Sequence, residues 1–311
     1  MFTKHKNIHN QQVFLSSIQD KNVELFIKRE DEIHPFVSGN KFRKLKYNIA
    51  EAKAQHKDIL LTFGGAFSNH IAATAVAGKE TNFKTIGVIR GDELGIDLEK
   101  TLQNNSTLRE AHQNGMQFLF VSRSDYRKKS ESEFLRKLKA QFGDFYLIPE
   151  GGTNELAVKG CEEILIAEDI KFDYICCAIG TGGTISGLIN SAEKHQKIIG
   201  FPALKGDFLS EEIQKYSKKN KNWSLENQYH FGGYGKVSSE LISFINDFKK
   251  ETTVLLDPIY TGKMMFGIVD AIRKNKFPEN SKILVIHTGG LQGINGINQK
   301  LKQKNQELIH V

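Results

Sequence analysis

Hydrophobic and polar positions alternate in two kinds of run along the chain. Short apolar runs at 58–63, 85–89, 117–121, 145–148, 172–179, 197–201, 253–256 and 282–286 read as buried strands, and 23–27, where apolar and polar residues alternate, reads as a half-buried one. Between them, apolar residues recur at helical spacing over 41–55, 69–80, 98–114, 131–140, 154–169, 184–195, 211–218, 239–249 and 262–274. The order strand, loop, helix, strand predicts an α/β fold whose mostly parallel sheets are covered by helices on both faces. Nine strands are too many for one small sheet, so two α/β domains are expected, and no Pro-, Gly- or Ser-rich tether separates them.

Composition adds little to that picture but removes several classes. Of 311 residues, 39% are hydrophobic and 25% charged, which excludes a disordered chain, a collagen-like chain and a disulfide scaffold. Lys and Arg number 43 against 36 Asp and Glu, a net charge of +7. The surplus is modest and interspersed, and its densest runs, 215–221 and 300–304, also carry Asn or Gln, so they read as solvated faces rather than a nucleic-acid patch. Cys161, Cys176 and Cys177 form no CxxC. The adjacent pair lies in an apolar run and should point to opposite faces of a strand, as buried free thiols suited to a reducing cytoplasm. No metal site is expected. Residues 1–12 are polar without a signal-peptide core, and no run approaches the roughly 20 apolar residues of a membrane span, so a soluble cytoplasmic protein is expected.

Candidate chemistry gathers at glycines. Gly64-Gly65, Gly151-Gly152, Gly182-Gly183 and Gly289-Gly290 each follow a strand pattern and are read as preceding a helix pattern. Ligands of open α/β sheets bind at the carboxyl ends of strands, where glycine lets backbone N–H groups approach an anion. Four such corners point to one shared cleft, although any single pair would serve as a tight turn. Gly180-Thr181-Gly182-Gly183-Thr184 lacks a Walker lysine and the dinucleotide fingerprint, and its donors and two hydroxyls suit a single phosphate monoester. In Ser38-Gly39-Asn40-Lys41-Phe42-Arg43-Lys44-Leu45, Lys41 sits at a helix start beside Arg43, a setting that lowers its pKa as a Schiff-base lysine requires. Ser68-Asn69 can cap the helix that follows Gly64-Gly65, or bind a carboxylate or a phenolic oxygen.

Together with Lys28-Arg29-Glu30-Asp31, Glu150-Gly151-Gly152-Thr153-Asn154, Asp257-Pro258-Ile259-Tyr260-Thr261-Gly262-Lys263 and His287-Thr288-Gly289-Gly290, these motifs run nearly end to end. In this order they resemble the pyridoxal-phosphate enzymes of fold type II, the tryptophan synthase β-like group. Within it, the closer similarity is to the family of 1-aminocyclopropane-1-carboxylate (ACC) deaminase and D-cysteine desulfhydrase. The resemblance implies two interleaved three-layer α/β domains, residues 1–44 plus 153–311 and residues 45–152, with pyridoxal 5'-phosphate in the cleft between them. It also implies a homodimer and a small amino-acid substrate. Lys41 would carry the cofactor covalently and move protons. Gly180, Thr181, Gly182, Gly183 and Thr184 would hold its phosphate, Asn69 its ring hydroxyl, and Thr288 would face its ring nitrogen. Ser68, Asn69, His70, Tyr260 and Thr261 would meet the substrate, with Tyr234 of Gly233-Tyr234-Gly235 flanking it, and 205–229 would border the entrance.

The two branches of the family resemble this chain unequally. ACC deaminases carry Tyr-Glu-Gly and His-Leu-Gly-Gly where this chain has Tyr260-Thr261-Gly262 and His287-Thr288-Gly289-Gly290, and tend to carry Gln at His70. A neutral hydroxyl leaves the cofactor's ring nitrogen unprotonated, a milder electron sink that favours elimination. The expected reaction is therefore α,β-elimination from a small D-amino acid such as D-cysteine, with ACC deamination as the alternative. A non-catalytic pyridoxal-phosphate-binding protein, a nucleotide-binding module and a basic nucleic-acid binder are the readings from other classes.

Overall fold

The apolar runs do pair as strands, in two separate sheets. The computed structural model describes residues 6–206, 209–217 and 222–311. Its strands are β1 (Asn10–Val13), β2 (Val23–Lys28), β3 (Ile59–Gly65), β4 (Lys84–Arg90), β5 (Met116–Val121), β6 (Tyr146–Ile148), β7 (Tyr174–Ile179), β8 (Lys197–Pro202), β9 (Trp223–Leu225) and β10 (Ser281–Ile286). A six-stranded sheet has the order β1-β2-β10-β7-β8-β9, and a four-stranded sheet the order β5-β4-β3-β6. Every pairing is parallel except β1 with β2. The chain enters the larger sheet with β1 and β2, leaves to build the whole smaller sheet, then returns for β7 to β10. That is the interleaving expected from the sequence.

Both sheets are covered on both faces, as parallel sheets require. On β7, Cys176 joins the core formed with helices Ser239–Thr252, Thr261–Arg273 and Gly293–Gln303. Its neighbour Cys177 joins the opposite core, with helices Gly183–Ser191 and Leu209–Tyr216. All three cysteines are free and buried. The smaller sheet packs helices Asn40–Ala54 and Asn69–Thr81 on one face and Arg123–Arg127 and Ser132–Phe142 on the other.

Several predicted elements differ, each for a local reason. The run 253–256 is not a strand. Thr253 has φ 63°, and the following backbone is satisfied by side chains, with His287 Nε2 donating to the Leu255 carbonyl at 2.7 Å and the Thr252 hydroxyl accepting from Val254 N–H. Helix 98–114 is two helices, Leu98–Asn104 and Ser106–Gln113, because the Asn105 side chain accepts from Leu108 N–H at 2.9 Å and starts a new one. Helix 154–169 ends at Cys161, and only a short 3₁₀ turn, Ala167–Lys171, follows. Helix 211–218 spans Leu209–Tyr216, and Lys218 lies outside the described residues, as do residues 1–5 of the polar N-terminus and 218–221 of the basic run. Strands β1 and β9 and helix Arg123–Arg127 are too short or too polar to show an apolar period, whereas helix Gly293–Gln303 buries Ile294, Ile297 and Leu301 at helical spacing, a pattern absent from the predicted helices.

One buried ion pair ties the chain's entry to its return. Lys28 on β2 lies 2.7 Å from Asp169, each about 1% exposed. Asn10 donates to the other carboxylate oxygen at 2.7 Å, and Ile166 N–H to the first at 2.9 Å. Removing one partner leaves the other charge buried and unpaired. Lys28→Met is therefore expected to lose about 3–5 kcal/mol of stability, and the double variant Lys28→Met/Asp169→Leu much less. Urea unfolding of the three proteins checks this, and an equal loss in the single and double variants would refute it.

Candidate active site

Carboxyl ends of strands from both sheets open onto one cavity of about 690 Å³. Gly65 and Arg90 end β3 and β4. Pro149, Glu150 and Gly151 follow β6, Gly180 follows β7, and Thr288, Gly289 and Gly290 lie just beyond β10, all on the cavity wall. Each of the four glycine corners contributes at least one wall residue.

Lys41 enters from the first turn of helix Asn40–Ala54. Its amine lies 3.5 Å from the Gly151 carbonyl. Burial, and then the charge of Lys44, lower its pKa to about 7. Arg43, expected to contribute to that shift, faces elsewhere. It forms a two-bond pair with the buried Glu30 at 2.8 and 3.0 Å. The neighbouring cation is Lys44, one turn along the same helix face and only 2% exposed. Its amine lies 3.1 Å from the Gly151 carbonyl, 3.0 Å from the Thr153 hydroxyl and 3.5 Å from the Thr181 hydroxyl. Burial lowers its pKa as well. In the sequence Lys44 was visible only as part of a basic cluster. The spacing of three from Lys41 is the signal that places both amines on one face.

Across from these amines, Thr181, Gly182 and Thr184 line the wall at the start of helix Gly183–Ser191. Gly182 has φ 85°, a conformation that other residues rarely adopt. Gly183 lies behind the wall, where an added Cβ would meet the Thr153 hydroxyl at 2.8 Å and the Lys44 amine at 3.2 Å. Backbone donors, hydroxyls and a buried amine thus surround one small space.

Ser68 caps helix Asn69–Thr81 and lines the cavity beside Asn69. Asn69 donates to the Gly290 carbonyl at 3.3 Å, and its amide oxygen is buried without a partner. His70 reaches the wall but is 2% exposed and turns inward. The Thr62 hydroxyl gives its proton to the Ile148 carbonyl, so His70 Nε2 must donate to Thr62 across 2.8 Å, leaving Nδ1 buried and unpartnered. Burial, then Lys41 and Lys44, hold this imidazole well below its usual pKa and therefore neutral.

On the far side, Tyr260 and Tyr234 both line the cavity, ring centroids 6.1 Å apart and nearly edge to face. Burial raises the pKa of both phenols, Tyr260 most strongly, so both are proton donors at neutral pH. Thr261, expected to touch substrate, is fully buried and off the wall. Its hydroxyl donates to Asp257 at 2.8 Å, and the same carboxylate accepts from the N–H groups of Ile259, Tyr260 and Thr261. Thr261 supports Tyr260 instead. Leu209, Glu212 and Tyr216 line the cavity, as expected of the segment 205–229, in which 207–208 and 218–221 lie outside the described residues. Among the described residues no cluster suits a metal ion, and no helix is long and apolar enough to cross a membrane.

Known proteins resemble this chain in sequence and fold. A family model described as pyridoxal-phosphate dependent enzyme matches residues 11–289. A putative ACC deaminase of Pyrococcus horikoshii is 30% identical over 294 residues, covering 89% of this chain and 88% of that protein. The bifunctional mitochondrial D-cysteine desulfhydrase/ACC deaminase of Arabidopsis thaliana is 33% identical over 295 residues, 87% of this chain and 73% of its own. The crystal structure of an ACC deaminase homologue superimposes with a TM-score of 0.81 at 27% identity, covering 96% of this chain and 94% of that one. A hydrogen sulfide-producing enzyme of Fusobacterium nucleatum, 17% identical with a TM-score of 0.67 over 92% of this chain and 96% of its own, shares the fold. The donor set suits the cofactor of this family on its own chemistry. A buried amine with its pKa near 7 can condense with an aldehyde, the Thr181–Thr184 corner with Lys44 can hold a phosphate, and the orphaned Asn69 amide can turn to a ring substituent. The chain belongs to the pyridoxal-phosphate-dependent enzymes, in the family of ACC deaminase and D-cysteine desulfhydrase.

Proposed function

We propose that this chain catalyses α,β-elimination from a small D-amino acid, D-cysteine foremost, converting it with one water to pyruvate, ammonia and hydrogen sulfide. The observation that carries this reading is the lack of a free carboxylate on the cavity wall. Among the described residues, the wall's carboxylates are Glu150 and Glu212, ion-paired with Lys129 and Lys215, while the Thr288 corner offers a hydroxyl. The buried Asp257 near that corner already accepts four hydrogen bonds. A neutral hydroxyl there suits departure of a good leaving group such as thiolate better than opening of an unactivated ring. ACC deamination is the second reading, supported by the 33% identical relative that carries both names.

When bound, pyridoxal phosphate supplies an electron sink for the substrate α-carbon. The chain's residues supply the rest. Lys41 carries the cofactor and, with its amine near pKa 7, takes and returns the α-proton. Thr181, Gly182, Gly183, Thr184 and Gly180 hold the phosphate, with Lys44 adding a charged donor. Asn69 holds the ring hydroxyl and Thr288 faces the ring nitrogen. Ser68, with the Asn69 and His70 backbone, receives the substrate carboxylate at a helix N-terminus. Tyr260, kept protonated by burial, and Tyr234 flank the leaving group and can donate hydrogen bonds to it. The same reading takes residues 45–152 as the smaller domain and 1–44 plus 153–311 as the larger, which the two sheets support.

Purified protein should be yellow, with a visible absorbance band that borohydride abolishes and Lys41→Ala lacks. Colourless protein that takes up no cofactor would end the proposal. In a keto-acid assay, D-cysteine should react faster than ACC. Efficient ACC turnover with none of D-cysteine would reverse the two readings, and a band that no amino acid perturbs would favour a carrier.

The amine reacts only when neutral. Because the Lys41 pKa lies near 7 instead of 10.5, cofactor uptake by stripped protein should accelerate as pH rises through about 7 and level off above it. Lys44→Met removes the neighbouring charge, so the midpoint should move up, not down. Loss of a charge-assisted donor of about 1.5–3 kcal/mol should also weaken cofactor binding roughly 10–100-fold. Stopped-flow absorbance over a pH series measures both, and a midpoint that stays put or falls would contradict the assigned cause.

A further inference from the structure

Lys263 is buried to 2% exposure on helix Thr261–Arg273, yet none of the catalytic roles above uses it. Its ammonium has no carboxylate within ion-pair distance among the described residues. It donates instead to two backbone carbonyls, His230 at 2.9 Å and Gly233 at 2.8 Å. Those carbonyls are the pivots of two consecutive turns. His230 also accepts from Gly233 N–H at 3.0 Å, and Gly233 from Lys236 N–H at 3.2 Å. Tyr234 is the first inner residue of the second turn.

This loop has no regular secondary structure of its own. Phe231, Gly232, Gly233 and Gly235 have φ of 52°, 87°, 113° and 67°, and the loop forms no ladder with either sheet. Tyr234 itself is 45% exposed. Phe231 packs edge to face on Phe266 at 5.0 Å, three residues beyond Lys263 on the same helix, Tyr234 meets the Tyr260 ring, and Gly232 N–H donates to His230 Nδ1 at 3.0 Å. Burying an ammonium is costly, and an apolar side chain would fill the volume at lower cost. That cost falls on the loop that brings Tyr234 to the cavity opposite Tyr260. The same helix starts at Tyr260, so one rigid element would set both rings.

We infer that Lys263 is a positioning residue that clamps the 230–236 loop and fixes Tyr234 against Tyr260. The inference rests on the proposed reading only in giving that pair a role at the substrate. Hydrogen exchange on cofactor-loaded protein tests it. Lys263→Met should speed exchange of the 232–236 amides by about tenfold or more, leaving β7, β10 and the visible band unchanged. D-cysteine kcat/KM should fall in the Lys263→Met variant but change less than about twofold when Lys263→Met is added to Tyr234→Ala. Unchanged loop exchange, or an equal loss in both backgrounds, would overturn the clamp. Should Lys263→Met not fold, the wild type decides: its Lys263 amine should be acetylated by acetic anhydride no faster than the loop amides open, and faster labelling refutes the inference. If no amino acid were turned over, the exchange result would still stand or fall by itself, and only the proposed activity would be lost.

Discussion

The site depends on one backbone-to-backbone contact. Gly39, at φ 58°, lies so close to the Thr288-Gly289 corner that an added Cβ would sit 1.9 Å from the Thr288 oxygen. Asn40 N–H donates to that same oxygen at 3.3 Å, and Gly289 would meet Ser38 Oγ at 2.5 Å if it carried a Cβ. The contact presses the start of the lysine helix, which packs on the smaller sheet, against the last strand of the larger one. Lys41 and Thr288 are thereby fixed relative to each other, although nearly 250 residues separate them in the chain. No side chain can enter the contact from either glycine, so glycine is required on both sides.

That contact concentrates positive charge as well as fixing distance. Lys44 is buried and Lys41 half-buried at the cavity wall, and neither has a carboxylate partner among the described residues, whereas Arg43 between them is paired with Glu30. A buried unpaired amine sheds its proton or acquires an anion. The Lys41 pKa near 7 expresses the first outcome and the adjoining Thr181–Thr184 corner accommodates the second. Protonation state and anion binding are therefore coupled at this point, because a phosphate beside Lys44 would cancel the charge that helps depress Lys41. His70, neutral and behind both amines, adds no charge to oppose that anion or to attract it.

The sequence was legible where a single residue type carries a geometric demand. The four glycine corners announced one cavity because tight turns at strand ends admit little else. The apolar runs announced their strands because both faces of a parallel sheet are buried. What could not be read were features decided by partners distant in sequence. Residues 253–256 look like a strand, but their backbone bonds go to His287 and Thr252. Strand β1, Asn10–Val13, is polar because it is an edge strand whose Asn10 serves the Lys28–Asp169 pair. Arg43 looked like the cation beside Lys41 until Glu30 claimed it, and nothing in the sequence showed that the His70 ring would turn inward to Thr62.

The segment from Asp257 to Lys263 shows how a catalytic-looking motif divides its labour. Only Tyr260 reaches the cavity. Asp257 collects the N–H groups of the next turn, Thr261 adds its hydroxyl, and Gly262 leaves room for the Asp257 carbonyl, which an added Cβ would meet at 2.8 Å. Lys263 turns away to the loop that bears Tyr234. Spacing in the motif therefore records the pitch of a helix start more than a list of substrate contacts. Thr261 is a buried neutral support beside Tyr260 and lies off the cavity wall. On the proposed reading, selectivity between elimination and ring opening would turn on the Thr288 corner and on how tightly the tyrosine pair is held.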